Sequence, residues 1–183
     1  MRPIFLDRDG VINREPSDFG SDYVRSVEQF EVLPRVAEAL KLLIENGYDV
    51  YLISNQAGVS KGFYSEEILN SITSALEDEL HKYGVKLKDI KYCLHQDSDN
   101  CECRKPKTKM FEEVMDNYSG IGRANLFYIG DTKRDVESAS NFGISSILVL
   151  SGKTKIDNVF DVNAGADFVA KDLHDAVKSI ILK

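Results

Sequence analysis

Two pairs of carboxylates stand directly behind short apolar runs: Asp7 and Asp9 in "DRDG", and Asp131 and Asp135 in "GDTKRD". Paired acids can hold Mg²⁺, which takes a few carboxylate oxygens together with water and phosphate. One carboxylate can also serve as a nucleophile while a neighbour gives and takes protons. Each pair has a plainer reading. Asp-Gly is a turn signal, and Asp131 and Asp135 could cap and charge the start of a helix. The plainer reading does not explain why two separate runs end in paired acids. "SNQ", Ser54 to Gln56, adds a hydroxyl and two amides, from Asn55 and Gln56, that suit phosphate oxygens or a capped turn. Lys105 adds an ammonium group, although most lysines are merely solvated.

A second constellation lies in "YCLHQDSDNCECRKP", Tyr92 to Pro106, which contains all three cysteines of the chain. Cys93-x-His95 and Cys101-x-Cys103 make a Cys₃His set, which suits closed tetrahedral zinc. The bland alternative is a cluster of free thiols at a strand end. An odd number of cysteines, two of them one residue apart, fits a metal in a reducing compartment better than a disulfide framework. Arg104, Lys105, Lys107 and Lys109 follow at once.

The elements that must position these residues alternate from end to end. Strand-like runs are Ile4–Asp7, Asp49–Ser54, Ile90–Leu94, Leu126–Gly130, Ser146–Leu150 and Asp167–Ala170. Most are continuously apolar, as strands covered on both faces are. Between them lie amphipathic helical patterns: Val36, Leu40, Leu43 and Ile44; Ile68, Ile72, Leu76, Leu80 and Tyr83, with Ser65 as N-cap; Phe111, Val114, Met115 and Tyr118; Val136 and Ala139; and Leu173, Val177, Ile180 and Ile181. The alternation predicts an α/β protein with a doubly wound, Rossmann-like parallel sheet, one domain over residues 1–183. Val11 to Leu33 is a long aperiodic connection, which is more often functional than idle. Ligands bind such sheets at the carboxyl ends of the strands, where Asp7, Asp9, Ser54, Asn55, Lys105, Asp131 and Asp135 all fall.

In order, strand context and spacing, "DRDGV", "ISN", Lys105 and "GDTKRD" resemble the four motifs of the haloacid dehalogenase superfamily of phosphotransferases. The resemblance runs from Ile4 to about Ala170. It implies Asp7 as nucleophile and Asp9 as general acid and base. Mg²⁺ would sit on Asp7, Asp9 (through its backbone carbonyl) and Asp131, with Asp135 behind them. Ser54 and Lys105 would neutralise the transferring phosphoryl group. "Cys-x-His…Cys-x-Cys-Arg-Lys-Pro" is similar to the zinc loop of the branch containing heptose bisphosphate and histidinol phosphatases. That likeness implies a structural Zn²⁺ on Cys93, His95, Cys101 and Cys103, holding Arg104 and Lys105 over the site. The short segment from Asn55 to Lys88 implies a capless enzyme, rimmed by the zinc loop and Asn13 to Phe30. "DYVRSVEQFEVLP", "NQAGVSKGFYSEE" and "SGKT" resemble the heptose enzymes and imply D-glycero-D-manno-heptose 1,7-bisphosphate as substrate. Two departures are Thr108-Lys109 after "CRKPK", nearer to the histidinol-phosphate phosphatases, and Thr132, where the heptose enzymes carry lysine.

The bulk properties agree with a small-molecule enzyme. A chain of 183 residues, 43% hydrophobic, can bury a sizeable core. A net charge of −7 argues against a broad nucleic-acid or membrane surface, so an anionic substrate must meet a local basic patch or a metal. No apolar run is long enough to cross a bilayer, and no signal peptide precedes the first strand, so the expectation is a cytoplasmic monomer. Two other classes compete. A receiver domain would have no need of the cysteine loop, and a non-catalytic zinc-organised binding protein would have no need of both Asp7 and Asp9.

Overall fold

The computed structural model describes residues 1–158 and 165–183. Six strands, β1 (Arg2–Leu6), β2 (Tyr48–Asn55), β3 (Asp89–Cys93), β4 (Phe127–Gly130), β5 (Ser145–Val149) and β6 (Phe168–Ala170), form one sheet. Their order is β3-β2-β1-β4-β5-β6, and every neighbouring pair is parallel. All six expected strands are present, with ends within two residues of the sequence reading. The order reverses between β1 and β4. That switch point is where an open sheet leaves a crevice.

The helices are α1 (Val36–Glu45), α2 (Glu66–His81), α3 (Lys109–Met115), α4 (Lys133–Phe142) and α5 (Leu173–Ala176), the last running on as a π-helical stretch, Val177–Ile181. Alternation along the strands divides the core. Ile4 and Leu6 pack with Val50, Leu52 and the apolar faces of α1, α2 and α5. Phe5 points the other way, with Ile53, Tyr128 and the faces of α3 and α4. Phe111 centres this second layer, 5.1 Å from Phe5, 5.0 Å from Tyr128 and 5.2 Å from Phe142, ring to ring. Covering on both faces is why β1 reads as an unbroken apolar run.

One helical face differs from expectation. Ser65 caps α2 as its type predicts, its side chain accepting from Ile68 N–H. The buried row, however, is Leu69, Ile72, Leu76 and Leu80, while Ile68 and Tyr83 are 37% and 56% exposed. Ile68 lies one position off that row, and Tyr83 lies beyond the helix end.

The long connection after β1 carries two short 3₁₀ turns, Pro16–Phe19 and Val27–Gln29. Its start is anchored by fully buried Val11 and Ile12, and its end by Leu33 N–H donating to Ile12 C=O at 2.9 Å. Only α2 lies between β2 and β3, so no second sheet or helical layer covers the strand ends among the described residues. No helix there is long and apolar enough to cross a membrane.

Candidate active site

Asp7 follows β1 and Asp131 follows β4, which are neighbours at the switch point. The Asp7 N–H donates to Ile129 C=O at 2.9 Å and locks the two strand ends together. One oxygen each of Asp7, Asp131 and Asp135 lies within 4.8 Å of the others. Lys105, 2% exposed, reaches into this cluster. Its Nζ is 2.8 Å from Asp7 Oδ2, 2.7 Å from Asp135 Oδ1 and 2.6 Å from the Tyr128 hydroxyl. One ammonium group thus pairs with two of three clustered buried carboxylates.

The imbalance appears in their acidities. Burial pushes Asp7 up to about 6, with Lys105 offsetting part of the rise and Asp135 adding to it. Burial, then Asp135 and Asp7, raise Asp131 well above the usual carboxylate range. Burial, the largest influence, would raise Asp135 too, but Lys105 and the hydrogen bonds from Thr132 and Tyr128 together outweigh it and hold that group below its ordinary value. Both Asp135 oxygens are already engaged. Oδ1 accepts from Lys105 and Tyr128, and Oδ2 accepts from the Thr132 N–H at 3.0 Å and from its hydroxyl at 2.5 Å. Asp7 and Asp131 are the acids left with excess negative charge. Buried oxygens of this type fit a hard divalent cation.

Small residues make the room. Gly10 has φ +78°, and a Cβ there would collide with the Asp131 carboxylate and with Gly152 Cα. A Cβ on Gly152 would strike the same Asp131 carboxylate. The glycines of "DRDG" and "SGK" therefore form the walls around Asp131.

Asp9 belongs to a separate network. Its Oδ1 accepts from Arg8 Nη2 at 3.0 Å and Asn13 Nδ2 at 2.8 Å, and its Oδ2 from Gln56 Nε2 at 2.9 Å. Asn55, expected on substrate, lines the cleft, and its side chain and that of Gln56, also expected on substrate, are held by protein groups. Asn55 pins the backbone of Lys105, accepting its N–H at 3.0 Å and donating to its C=O at 3.2 Å. Gln56 is fully buried. Ser54, 2% exposed, accepts from Gln56 Nε2 at 3.2 Å.

These groups floor a cleft of about 350 Å³. Both expected rims line it: Glu15, Asp22 and Tyr23 from the long connection, Asp97 and Arg104 from the cysteine loop. Lys61, Arg134 and Lys153 join them, giving five cations with Arg104 and Lys105. A larger hollow of about 670 Å³ beside α1 and α2 has no comparable cluster. Glu15 had no role in the sequence reading. It is 6% exposed, and burial, with Asp9 and Asp7 nearby, pushes its carboxyl up to about 7 against the opposing pull of Lys153. Tyr128 was also missed, because inside β4 it reads as core.

The cysteine loop brings its four candidate ligands together. Cys93 Sγ lies 3.0 Å from Cys103 Sγ and 3.7 Å from Cys101 Sγ, with Cys101 and Cys103 3.6 Å apart. His95 Nδ1 is 3.3 Å from Cys103 Sγ and 3.7 Å from Cys93 Sγ. None of the cysteines is in a disulfide. Zn–S bonds of about 2.3 Å at the tetrahedral angle separate sulfurs by about 3.8 Å; the donor set and the two longer separations fit zinc, and Cys93 and Cys103 would have to open from 3.0 Å. Arg104, at the end of the loop, is held by Asp97 Oδ1 at 2.7 Å and by His95 C=O at 3.2 Å.

Comparison with known proteins agrees with this architecture. The HAD-hydrolase-like family model matches residues 102–176. The D-glycero-β-D-manno-heptose-1,7-bisphosphate 7-phosphatase of Pseudomonas putida is 33% identical, over 84% of this chain and 85% of that one. The corresponding Yersinia pestis enzyme is 34% identical, over 97% and 94% of the two chains. The crystal structure of D,D-heptose 1,7-bisphosphate phosphatase from B. bronchiseptica, complexed with magnesium and phosphate, superposes with a TM-score of 0.88 at 29% identity, covering 100% of this chain and 99% of that one. With its parallel sheet and acids at the β1/β4 switch point, the chain belongs to the haloacid dehalogenase-like family of phosphatases.

Proposed function

We propose that this phosphatase is Mg²⁺-dependent and removes the 7-phosphate of D-glycero-D-manno-heptose 1,7-bisphosphate through an aspartyl-phosphate. The observation that carries the chemistry is the buried Asp7–Lys105–Asp131 cluster in an uncapped cleft, with Asp9 held separately beside it. Asp7 attacks phosphorus, and the bond to the sugar oxygen breaks as Asp9 delivers a proton to that oxygen. Asp9 then takes a proton from water as the water attacks the same phosphorus. The acyl phosphate breaks, and phosphate and the Asp7 carboxylate are released. Lys105 and Ser54 face the phosphoryl oxygens, and Asn55 acts on them through the Lys105 backbone. Asp7, Asp131 and the Asp9 backbone carbonyl would hold Mg²⁺, with Asp135 behind them. When bound, Mg²⁺ supplies charge neutralisation of the phosphoryl group.

Zinc on Cys93, His95, Cys101 and Cys103 has a mechanical role, since four protein ligands leave no open position for water. It would steady the loop in which Asp97 and the His95 C=O hold Arg104 on the rim, where a guanidinium fork suits a phosphate or paired hydroxyls. Glu15 supplies an acceptor for sugar hydroxyls on the opposite rim. Lys61, Arg134 and Lys153 on the cleft rim can meet a second phosphate, but seven carboxylates line the same cleft, so the choice of the bisphosphate over histidinol phosphate rests on the likeness to the heptose phosphatases.

Kinetics with the two compounds side by side test the substrate. The expected result is a higher kcat/KM for the heptose bisphosphate, with Arg104→Ala costing roughly 1.5–3 kcal/mol of transition-state binding. A clear preference for histidinol phosphate would move the assignment to that branch.

A further inference from the structure

The side chain of Gln56 touches neither the cleft acids Asp7 and Asp131 nor Lys105, yet it lies at the centre of a buried polar network. Its Oε1 accepts from the Tyr64 hydroxyl at 2.6 Å and from Arg8 Nη2 at 3.1 Å. Its Nε2 donates to Asp9 Oδ2 at 2.9 Å and to Ser54 Oγ at 3.2 Å. Arg8, Asn13 and Gln56 are 0% exposed, Ser54 2% and Tyr64 5%. The amide can stand only one way round. Reversed, its NH₂ would face the Arg8 guanidinium and its oxygen would face the Asp9 carboxylate.

The network therefore fixes a direction. Tyr64 and Arg8 orient the amide, and the amide orients Asp9. Asp9 Oδ1 is saturated by Arg8 Nε at 3.2 Å, Arg8 Nη2 at 3.0 Å and Asn13 Nδ2 at 2.8 Å. Oδ2 has Gln56 Nε2 and one longer contact to Arg8 Nη2 at 3.1 Å. Oδ2, with two contacts against three on Oδ1, is the less engaged oxygen and the one left to exchange a proton, and Gln56 sets where it points. The same nitrogen ties that oxygen to Ser54, so one rigid amide spaces the proton donor from the hydroxyl facing the phosphoryl group.

We infer that Gln56, locked in orientation by the Tyr64 hydroxyl and Arg8, is a positioning residue that aims Asp9 Oδ2 at the leaving-group oxygen. The inference rests on the acid–base reading of Asp9 above. It assigns Tyr64, which is outside the cleft lining, a share in proton transfer.

The test compares leaving groups. An alkyl phosphate ester needs a proton on its departing oxygen, whereas p-nitrophenyl phosphate leaves without one. Tyr64→Phe keeps the ring and removes the orienting hydroxyl; Gln56→Met removes the whole link, and Asp9→Asn is the reference. Folding of each is checked by near-ultraviolet circular dichroism. Where Gln56→Met does not fold, Tyr64→Phe alone decides. The expected result is a kcat on the alkyl ester lower by roughly 10- to 100-fold in Tyr64→Phe or Gln56→Met, with KM nearly unchanged. The first release of p-nitrophenol should fall less than about threefold. It should appear as a burst, because Asp9 must still activate water in the second half-reaction. Equal loss on both esters in the first half-reaction, or a change in KM alone, would overturn the positioning role while Asp9→Asn still shows the split. If Asp9→Asn shows no split either, the acid–base reading and the inference fall together.

Discussion

Asp7→Asn should abolish turnover, lowering kcat by roughly 10⁴-fold or more, while the protein folds and, in Mg²⁺-free buffer, is more stable than the wild type. The asparagine keeps the shape and an acceptor for the Arg8 N–H, which the Asp7 Oδ1 receives at 2.8 Å. Lys105 keeps Asp135, 2.7 Å away, as its buried counter-charge. What disappears is the nucleophile and one negative charge of an over-charged cluster. The sign of the stability change follows from burial. Asp7 is raised from 3.8 to about 6, so the unfolded chain ionises first. Stability is therefore lost as pH rises from about 4 to 6, on the order of 3 kcal/mol, and the loss persists above that range. Thermal melts at pH 8 without added metal should show Asp7→Asn unfolding at higher temperature, and Mg²⁺ should stabilise the wild type more than the variant. Near wild-type turnover by Asp7→Asn would require direct attack by water in place of the covalent route.

The second large effect concerns the cysteine loop. Protein purified without chelator should carry about one zinc per chain, and Cys101→Ser should lower stability by roughly 3 kcal/mol or more. Residues Gln96 to Asn100 form an exposed 3₁₀ turn with no apolar core of its own, so metal bonds would be its main tether. Arg104 is bonded to Asp97 and to His95 C=O inside this loop, and loosening it should raise KM for substrate. Mg²⁺ binding should persist, because Asp7 and Asp131 lie on other elements. Elemental analysis and melting curves decide the matter. Absence of zinc, with three freely titrating thiols, would contradict the structural role.

How much of this was legible in the sequence depends on what each residue's neighbours reveal. The inner strands β1, β2, β4 and β5 could be read because burial on both faces makes them nearly continuous apolar runs, whereas the edge strands β3 and β6 are largely half-buried or exposed and show only their β-forming residues. The acids could be read because Asp7 and Asp131 stop such runs abruptly. Cys93, His95, Cys101 and Cys103 could be read because all four candidate ligands come from one short segment. On α2, Ile72, Leu76 and Leu80 are buried as expected, but Leu69 takes the place expected of Ile68, because the two are equally apolar and only packing chooses between them. Tyr128 was invisible, since a tyrosine in a strand carries no mark that its hydroxyl meets Lys105 and Asp135. Glu15 lies in an aperiodic connection, where no pattern shows which side chain turns inward. Gln56 was given to substrate because an amide at a strand end looks the same whether it meets a ligand or, as here, Asp9, Ser54, Arg8 and Tyr64.

The central claim, that Asp7 becomes covalently phosphorylated, has one direct measurement. Turnover with the heptose bisphosphate is quenched within the first catalytic cycles, and the protein is treated with borohydride, which reduces an acyl phosphate to the alcohol. Peptide mass spectrometry should then find homoserine at position 7 and intact aspartate at positions 9, 131 and 135. Phosphate release in the same samples with unmodified Asp7 would contradict the account.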